Sequence, residues 1–446
     1  MNLVSFSIKT KGLHNFARRL WTVFTRFGIS EARIRRALHA VIDALHEYDG
    51  APTFFIPAIV LSRHIALIKE IANLGAEIGI HGYVHNDYRF LSEAEQYKQT
   101  ERAISVFRKA RTPYEGFRNP YLGWTEESLR VFTALGFNYD SNEAILHDVI
   151  GLDHFPPLLR NGYEKSLVLF QALPCNTYTL RPHFEGPLLR IPTSIPDDEM
   201  LFDRLRITDL EQVGRIWSRI MERIYDFGGI YVLNLHPERA VSCKLALDIL
   251  LSDAHNRPLP VWLARLKDIS QWWNEHSQFR LHITSEAPYR WRFKATCTSR
   301  ATLLARYLIL EGQHTSSWFG ADSRVLSHSG IVSAAQCPCI GLSPQTAQQV
   351  VDFLDEHGYP SVRCSEENAH MYALYLDMSE GFGTTHQEQL QRRSALVQQI
   401  EQLESPFLHF GCWPKGSRAA LAISGDIDSV TVQDFFLRIL EVNQYT

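Results

Sequence analysis

Short apolar runs alternate with amphipathic stretches from residue 1 to about 285, and this alternation limits the folds open to the chain. "LVSFSI" reads as a strand. Residues 13–27 and 31–47 read as helices, the second with Ile34, Leu38, Val41, Ile42 and Leu45 on one face. "PTFFIPAIV" reads as a buried strand, 63–73 as a helix that stops at Gly75, and "AEIGI" as the next strand. Ser92 and Glu95 have the spacing of a capping box and open a helix that runs to about Ala110. "YEGFR" follows, then a helix capped by Thr125, then "FNYDS". "SLVLFQALP", "LLRIPTS" and "GGIYVLNLH" read as further strands, with helices at 209–226, at 241–252 and through Trp272 and Trp273. Repeated β-α units predict an α/β fold with a parallel sheet, open or closed into a barrel.

The texture changes after about residue 285. "YRWRFKATCTSRATLLARYLILE" holds two strand-like stretches. "PQTAQQVVDFLDEHGYPSVRC" holds a helix, a glycine stop and a strand, "HMYALYLDM" another strand, and 386–404 a helix. Residues 286–405 therefore read as an appended small α/β domain, and 406–446 as a separate β-α unit. A chain of 446 residues is expected to carry two or three domains. Net charge is −4 with no long run of one sign, which argues against a nucleic-acid partner. No run of about 18 apolar residues predicts a membrane span, and the N-terminus lacks a signal peptide's apolar centre. Seven scattered cysteines fit a reducing compartment, so the expected location is cytoplasmic.

"EIGIHGYVHNDY" sets His81 and His85 four apart where an apolar strand ends. With 19 histidines in the chain, such a pair arises about once by chance, so position matters more than spacing. In parallel α/β sheets, ligands bind at the carboxyl ends of strands. Two neutral imidazoles need a third ligand and an open position to form a catalytic metal site. The bland alternative is a strand cap and a solvated loop histidine. "GFRNPYLGW" puts Arg118 and Tyr121 after another strand, and "LNLHPERA" puts His236 after a third. Each has a structural explanation alone: an ion pair, or a His-Pro turn. Three strand ends bearing such groups are harder to dismiss together.

"TFFIPA", "EIGIHGYVH", "GFRNPY", "GFNYDS" and "VLNLHP", in this order, resemble the polysaccharide deacetylases of NodB-homology type, carbohydrate esterase family 4. The resemblance spans about residues 1–285. It implies a distorted (β/α)7 barrel and metal-dependent removal of an N-acyl group, usually acetyl, from a sugar or glycan. It further implies that His81 and His85 bind a divalent metal, most often zinc. By the same resemblance Arg118, Pro120 and Tyr121 line the substrate groove, and His236 is the general acid.

The family's first strand ends in two aspartates, a base and a third metal ligand. The corresponding "VSFSIKTKG" offers Ser7, Ile8 and Lys9, which can do neither job. The tail holds what is absent there: "ALAISGDIDSVTVQDFF" is an apolar strand ending in Asp426 and Asp428, followed by a helix. Three readings stand open. These are a turn with solvated aspartates, a second copy cut short, or a strand that enters the first barrel beside residues 3–8 with Asp428 as metal ligand and Asp426 as base. A further alternative for the whole is an inactive barrel that binds a glycan or partner protein. Lower in rank stand Asp197 and Asp198 as groove residues or a helix-start acidic pair. Asp87 is a candidate second partner for an imidazole, or an ordinary loop aspartate. Trp262, Trp272 and Trp273 are candidate sugar stackers, although helical spacing favours burial.

Overall fold

The computed structural model describes residues 26–312 and 314–445. The predicted "LVSFSI" strand lies outside these residues, as does nearly all of the 13–27 helix. Strands Thr53–Ile56, Glu77–Ile80, Gly116–Phe117 and Tyr139–Asp140 pair in parallel and in chain order. Tyr139–Asp140 pairs with Leu188–Arg190. After Ile191 and Pro192 the chain resumes as Thr193–Ile195, which pairs with Ile230–Leu235. The interrupted 188–195 segment thus borders both halves of the sheet. Ala419–Asp426 closes the ring between Ile230–Leu235 and Thr53–Ile56. These seven segments make the barrel, a curled mixed α/β architecture with parallel strands.

The closing strand comes from the end of the chain but is central in the sheet. One edge pairs with Ile230–Leu235 along six residues, from Ala420 to Gly425. The other pairs with Val261–Leu263 at its start and with Thr53–Phe55 at its end. Residues 3–8, the neighbour expected from sequence, lie outside the described residues. Every residue of Ala419–Asp426 is buried. Its alternation serves two layers, because side chains of a strand point to opposite faces. Ala419, Leu421 and Ile423 join the core under the helices, and Ala420 and Ala422 join a second core inside the ring. Small residues on the inner face leave room for Phe55 and for the Arg118 guanidinium, which lies 4.4 Å over the Phe55 ring.

Two sequence expectations need correction. "PTFFIPAIV" is a strand only to Ile56; Pro57 begins the turn into helix Ala58–Arg63, since a proline suits the start of a helix better than a sheet. "SLVLFQALP" begins as the end of helix Pro157–Leu169 and then turns, with only Leu173–Pro174 extended. Its apolar run packs one helix face rather than a buried strand. The Ser92–Glu95 capping box forms as read, with Ser92 N bonded to Glu95 Oε2 at 2.8 Å.

Beyond residue 280 three further sheets form. Arg280–Ala287, Arg290–Thr296, Ser329–Ser333 and Ile309–Leu310 make one. Thr315–Ser317, Asp322–Val325, Leu303–Arg306 and Phe407–Phe410 make the second. Ser361–Arg363, Cys337–Leu342 and Tyr372–Leu376 make a parallel third, flanked by helices Gln348–Glu356 and His386–Glu401. The inner core of the barrel continues into this region: Ala420, Val232 and Tyr139 share one cluster with Trp272, Trp273, Trp413, Phe293 and Leu303. The three candidate sugar stackers thus do packing work, with Trp272 and Trp273 fully buried and Trp262 partly buried, edge-on to Trp272. Helix Leu266–His276, which carries two of them, docks at the starting ends of the strands through buried Glu77. That carboxylate accepts from Thr53 Oγ1, Tyr139 OH and Lys267 N. The opposite, carboxyl ends of the strands stay free to build a site. Among the described residues no helix is long and apolar enough to cross a membrane.

Candidate active site

His81 directly follows Glu77–Ile80, and His85 sits one turn of loop further on. His81 Nδ1 donates to the Arg118 carbonyl at 2.7 Å, which leaves Nε2 with its lone pair toward the strand ends. The tail brings Asp428 there. Its Oδ1 lies 3.5 Å from His81 Nε2 and 3.2 Å from His85 Nε2. One ligand atom from each of His81, His85 and Asp428 fits within a 4.8 Å span. Both contacts are at ion-pair distance, and neither has hydrogen-bond geometry. Asp428 Oδ1 is therefore a buried acceptor with no donor, an arrangement that costs free energy unless a cation completes it. Burial drives the Asp428 carboxyl upward, but the two imidazoles and Arg438 outweigh it and hold it well below the usual carboxylate range. Burial pushes His85 down, against the pull of Asp428, so the neutral ligand form is favoured. The donor set, two imidazoles and one carboxylate with room for another ligand, fits a divalent cation.

Asp426 is two residues earlier, at the end of the strand, and lines the same cleft. Its Oδ1 receives Arg118 Nη1 at 3.2 Å and its Oδ2 receives Asn234 Nδ2 at 2.9 Å. Arg118 is the hub of the ring interior. It also donates to Asn234 Oδ1, Ser424 Oγ, the Ser141 carbonyl and hydroxyl, and Thr193 Oγ1. The sequence reading placed Arg118 and Pro120 in the substrate groove. The structure corrects this: Arg118 is 0% exposed, Pro120 is buried, and neither lines the cleft. A guanidinium with its donors spent on the barrel interior has none to offer a ligand. Tyr121 does reach the cleft. It is held at a left-handed φ of 61°, 42% exposed, with its ring edge-on to His85 at 4.7 Å between centroids.

His236 follows Ile230–Leu235 and lines the same cleft. Its Nδ1 donates to Asp198 Oδ1 at 2.7 Å, and its backbone N–H reaches Asp198 Oδ2 at 2.8 Å. Burial alone would lower the imidazole; the Asp198 carboxylate overrides it and raises it well above the usual value. Asp198 is fully buried and also lies 3.6 Å from Arg239. Asp197 lines the cleft, accepts from Met200 N, and is pushed above the usual carboxylate range by burial and by its neighbour Asp198. Phe170, Leu122 and Glu199 complete the walls. Asp87 does not reach the histidines: its carboxylate is taken up by Arg89. Sequence reasoning missed Asn234, whose position two before His236 on the same strand face could have shown it, and Arg438, which donates to Asp428 Oδ2 at 2.8 Å.

The strand-end arrangement accords with a comparison across known families. Residues 31–139 match the polysaccharide deacetylase family. The matched segment holds His81, His85, Arg118 and Tyr121; His236, Asp426 and Asp428 lie outside it. Among solved structures the chain is similar to a putative polysaccharide deacetylase from Mycobacterium smegmatis, at 22% identity and TM-score 0.40, over 53% of this chain and 76% of that one. It is also similar to PuuE allantoinase, at 19% identity and TM-score 0.41, over 53% and 72% of the two chains. A family 4 carbohydrate esterase pseudoenzyme from Bacillus anthracis shows 16% identity and TM-score 0.34, over 53% and 61%. No curated protein sequence matches the chain.

Proposed function

We propose that the protein is a metal-dependent hydrolase that removes an acyl group, acetyl in the first instance, from the nitrogen of a sugar or glycan. The observation that carries this reading is the unpartnered Asp428 Oδ1 between two imidazole nitrogens. It sits beside a second carboxylate and an Asp-backed histidine, in a chain whose residues 31–139 match the deacetylase family. The competing reading of an inactive barrel rested on missing carboxylates, and the place of Asp428 favours the hydrolase.

His81, His85 and Asp428 would hold the ion, with zinc the expected metal from this donor set. When bound, it supplies Lewis acidity toward the acyl oxygen and lowers the pKa of water. Asp426 is the base that takes the proton of the attacking water. Arg118 and Asn234 donate to its two oxygens and fix the orientation of its carboxylate. His236 is the acid. With Nδ1–H given to Asp198, its other ring nitrogen carries the proton that an amine leaving group needs, and the raised pKa keeps that proton in place near neutral pH. Tyr121, Leu122 and Phe170 give the cleft the mixed aromatic and apolar wall on which a sugar ring can rest.

Acetate release from N-acetylglucosamine oligomers by the zinc-loaded protein tests the reading. Asp426→Asn should abolish release while zinc content stays at the parent level. No acetate from N-acetylated sugars, or an Asp426→Asn variant as active as its parent, would remove the proposal.

A further inference from the structure

Arg438 lies on helix Val432–Tyr445, ten residues beyond the carboxylate it touches, and nothing in its sequence surroundings marks it. Its Nη1 donates to Asp428 Oδ2 at 2.8 Å, while the other oxygen of the same carboxylate stays bare and within 3.2–3.5 Å of the two imidazoles. A carboxylate that is free to turn offers either oxygen to any partner; one pinned through Oδ2 presents Oδ1 in a single direction. We propose that Arg438 is a positioning residue for the metal site: it fixes Asp428 so that Oδ1 faces His81 and His85, and thereby strengthens divalent-cation binding. The inference rests on the metal reading above.

The helix is anchored in a way that suits this task. Asp434, one turn before Arg438, accepts from Arg63 Nη1 at 3.1 Å and pairs with His64 Nε2 at 2.7 Å. Its Oδ2 also accepts from Thr431 N and Oγ1, which caps the helix start. Glu441, nearly one turn after Arg438, is ion-paired to the same Arg63. Positions 434, 438 and 441 share one helix face. Two of the three are tied to helix Ala58–Arg63 and the residue after it, and the third reaches Asp428. His64 Nδ1 in turn pairs with Glu31 at 2.7 Å, so the anchor continues into the barrel's outer layer. The arginine end is therefore held in place rather than left as a loose surface side chain. Its guanidinium also repels an incoming cation, so orientation and charge act in opposite directions. Partners that orient metal ligands typically contribute about 10–100-fold in affinity. The charge of Arg438 is already matched by the carboxylate it grips, so orientation is expected to win.

Zinc ion titrated calorimetrically into the metal-stripped full chain tests the proposal without any turnover. Arg438→Gln should bind zinc about 10–100-fold more weakly than the parent, with a parental melting curve for the metal-free protein. Arg438→Lys, which keeps the charge but loses the fork geometry, should fall between them. Equal or tighter zinc binding by Arg438→Gln overturns the proposal, since the arginine would then be a bystander or a competitor. If Arg438→Gln melts early, Arg438→Lys decides, and parental affinity there overturns it. A parent protein that takes up no zinc would remove the metal reading and this inference together. A parent that binds zinc alongside indifferent variants removes this inference alone.

Discussion

Individual residues in the cleft divide into those that face it and those that hold the others. His236 belongs to the first kind, and its histidine–aspartate pair makes a kinetic prediction. His236→Ala should lower kcat by about 10²–10⁴-fold with little change in KM, because proton delivery is needed only as the C–N bond breaks. Steady-state kinetics on an N-acetylated oligomer check it, and an unchanged kcat would assign the histidine to structure. Arg118 belongs to the second kind. Completely buried, it supplies a charge partner to Asp426 and, from the end of strand Gly116–Phe117, bonds Ser141 just after Tyr139–Asp140 and the strands 193–195, 230–235 and 419–426. Arg118→Met keeps the volume but leaves Asp426 buried with Asn234 alone. Removing one partner of a buried pair costs about 3–5 kcal/mol. The expected result is a melting temperature lower by several degrees even in metal-free protein; a parental melting curve would show that the pair contributes no stability.

Elements show how far the sequence could be read. Strands whose role is local were legible: Glu77–Ile80 ends in His81 where its apolar run ends, and Ile230–Leu235 delivers His236. The Ser92 cap was legible because both its bonds lie within four residues. Runs such as "SLVLFQALP" were not, since a short apolar stretch fits a helix face as well as a strand, and the choice is made by distant packing. Burial was harder still: "GFRNP" marks Arg118 as important but not whether it faces ligand or core. The join between helices Leu266–His276 and Gln348–Glu356 lay beyond reach for the same reason. There Glu356 Oε1 accepts from Trp273 Nε1 at 2.7 Å and from Phe184 N at 3.0 Å, and burial pushes its carboxyl up to about 7. A carboxyl raised on folding is protonated in the folded state before it is in the unfolded one. Its cost therefore grows as pH rises from the ordinary value through about 7, reaching up to about 3 kcal/mol above that. Glu356→Gln should leave the melting temperature near the parent's at pH 5 and raise it at pH 8.5. Identical pH dependence in the two proteins would count against an ionisation at this joint.

At the scale of the whole molecule, the barrel takes one of its seven segments from the far end of the chain, and the proposed site depends on it. Ala419–Asp426 is synthesised last among the barrel strands yet lies between Ile230–Leu235 and Thr53–Ile56. It ends in Asp426, the loop just after it holds Asp428, and the helix that follows carries Arg438. Truncation after Ser417 would strip two facing strand edges of their backbone partners, and a buried unpaired peptide group is costly. It would also empty the positions of Leu421 and Ile423 under the helices, each about 1.5–3 kcal/mol of apolar burial, and would leave Arg118 facing no carboxylate. The shortened chain is expected to lose zinc binding completely and to melt without the parent's cooperative transition. Circular dichroism and zinc calorimetry on the truncated protein check both together. A truncated chain that melts as sharply as the parent and still binds zinc would show that the ring closes without its last strand. One that folds sharply but binds no zinc would separate the two roles, leaving the strand essential to the site and dispensable to the barrel.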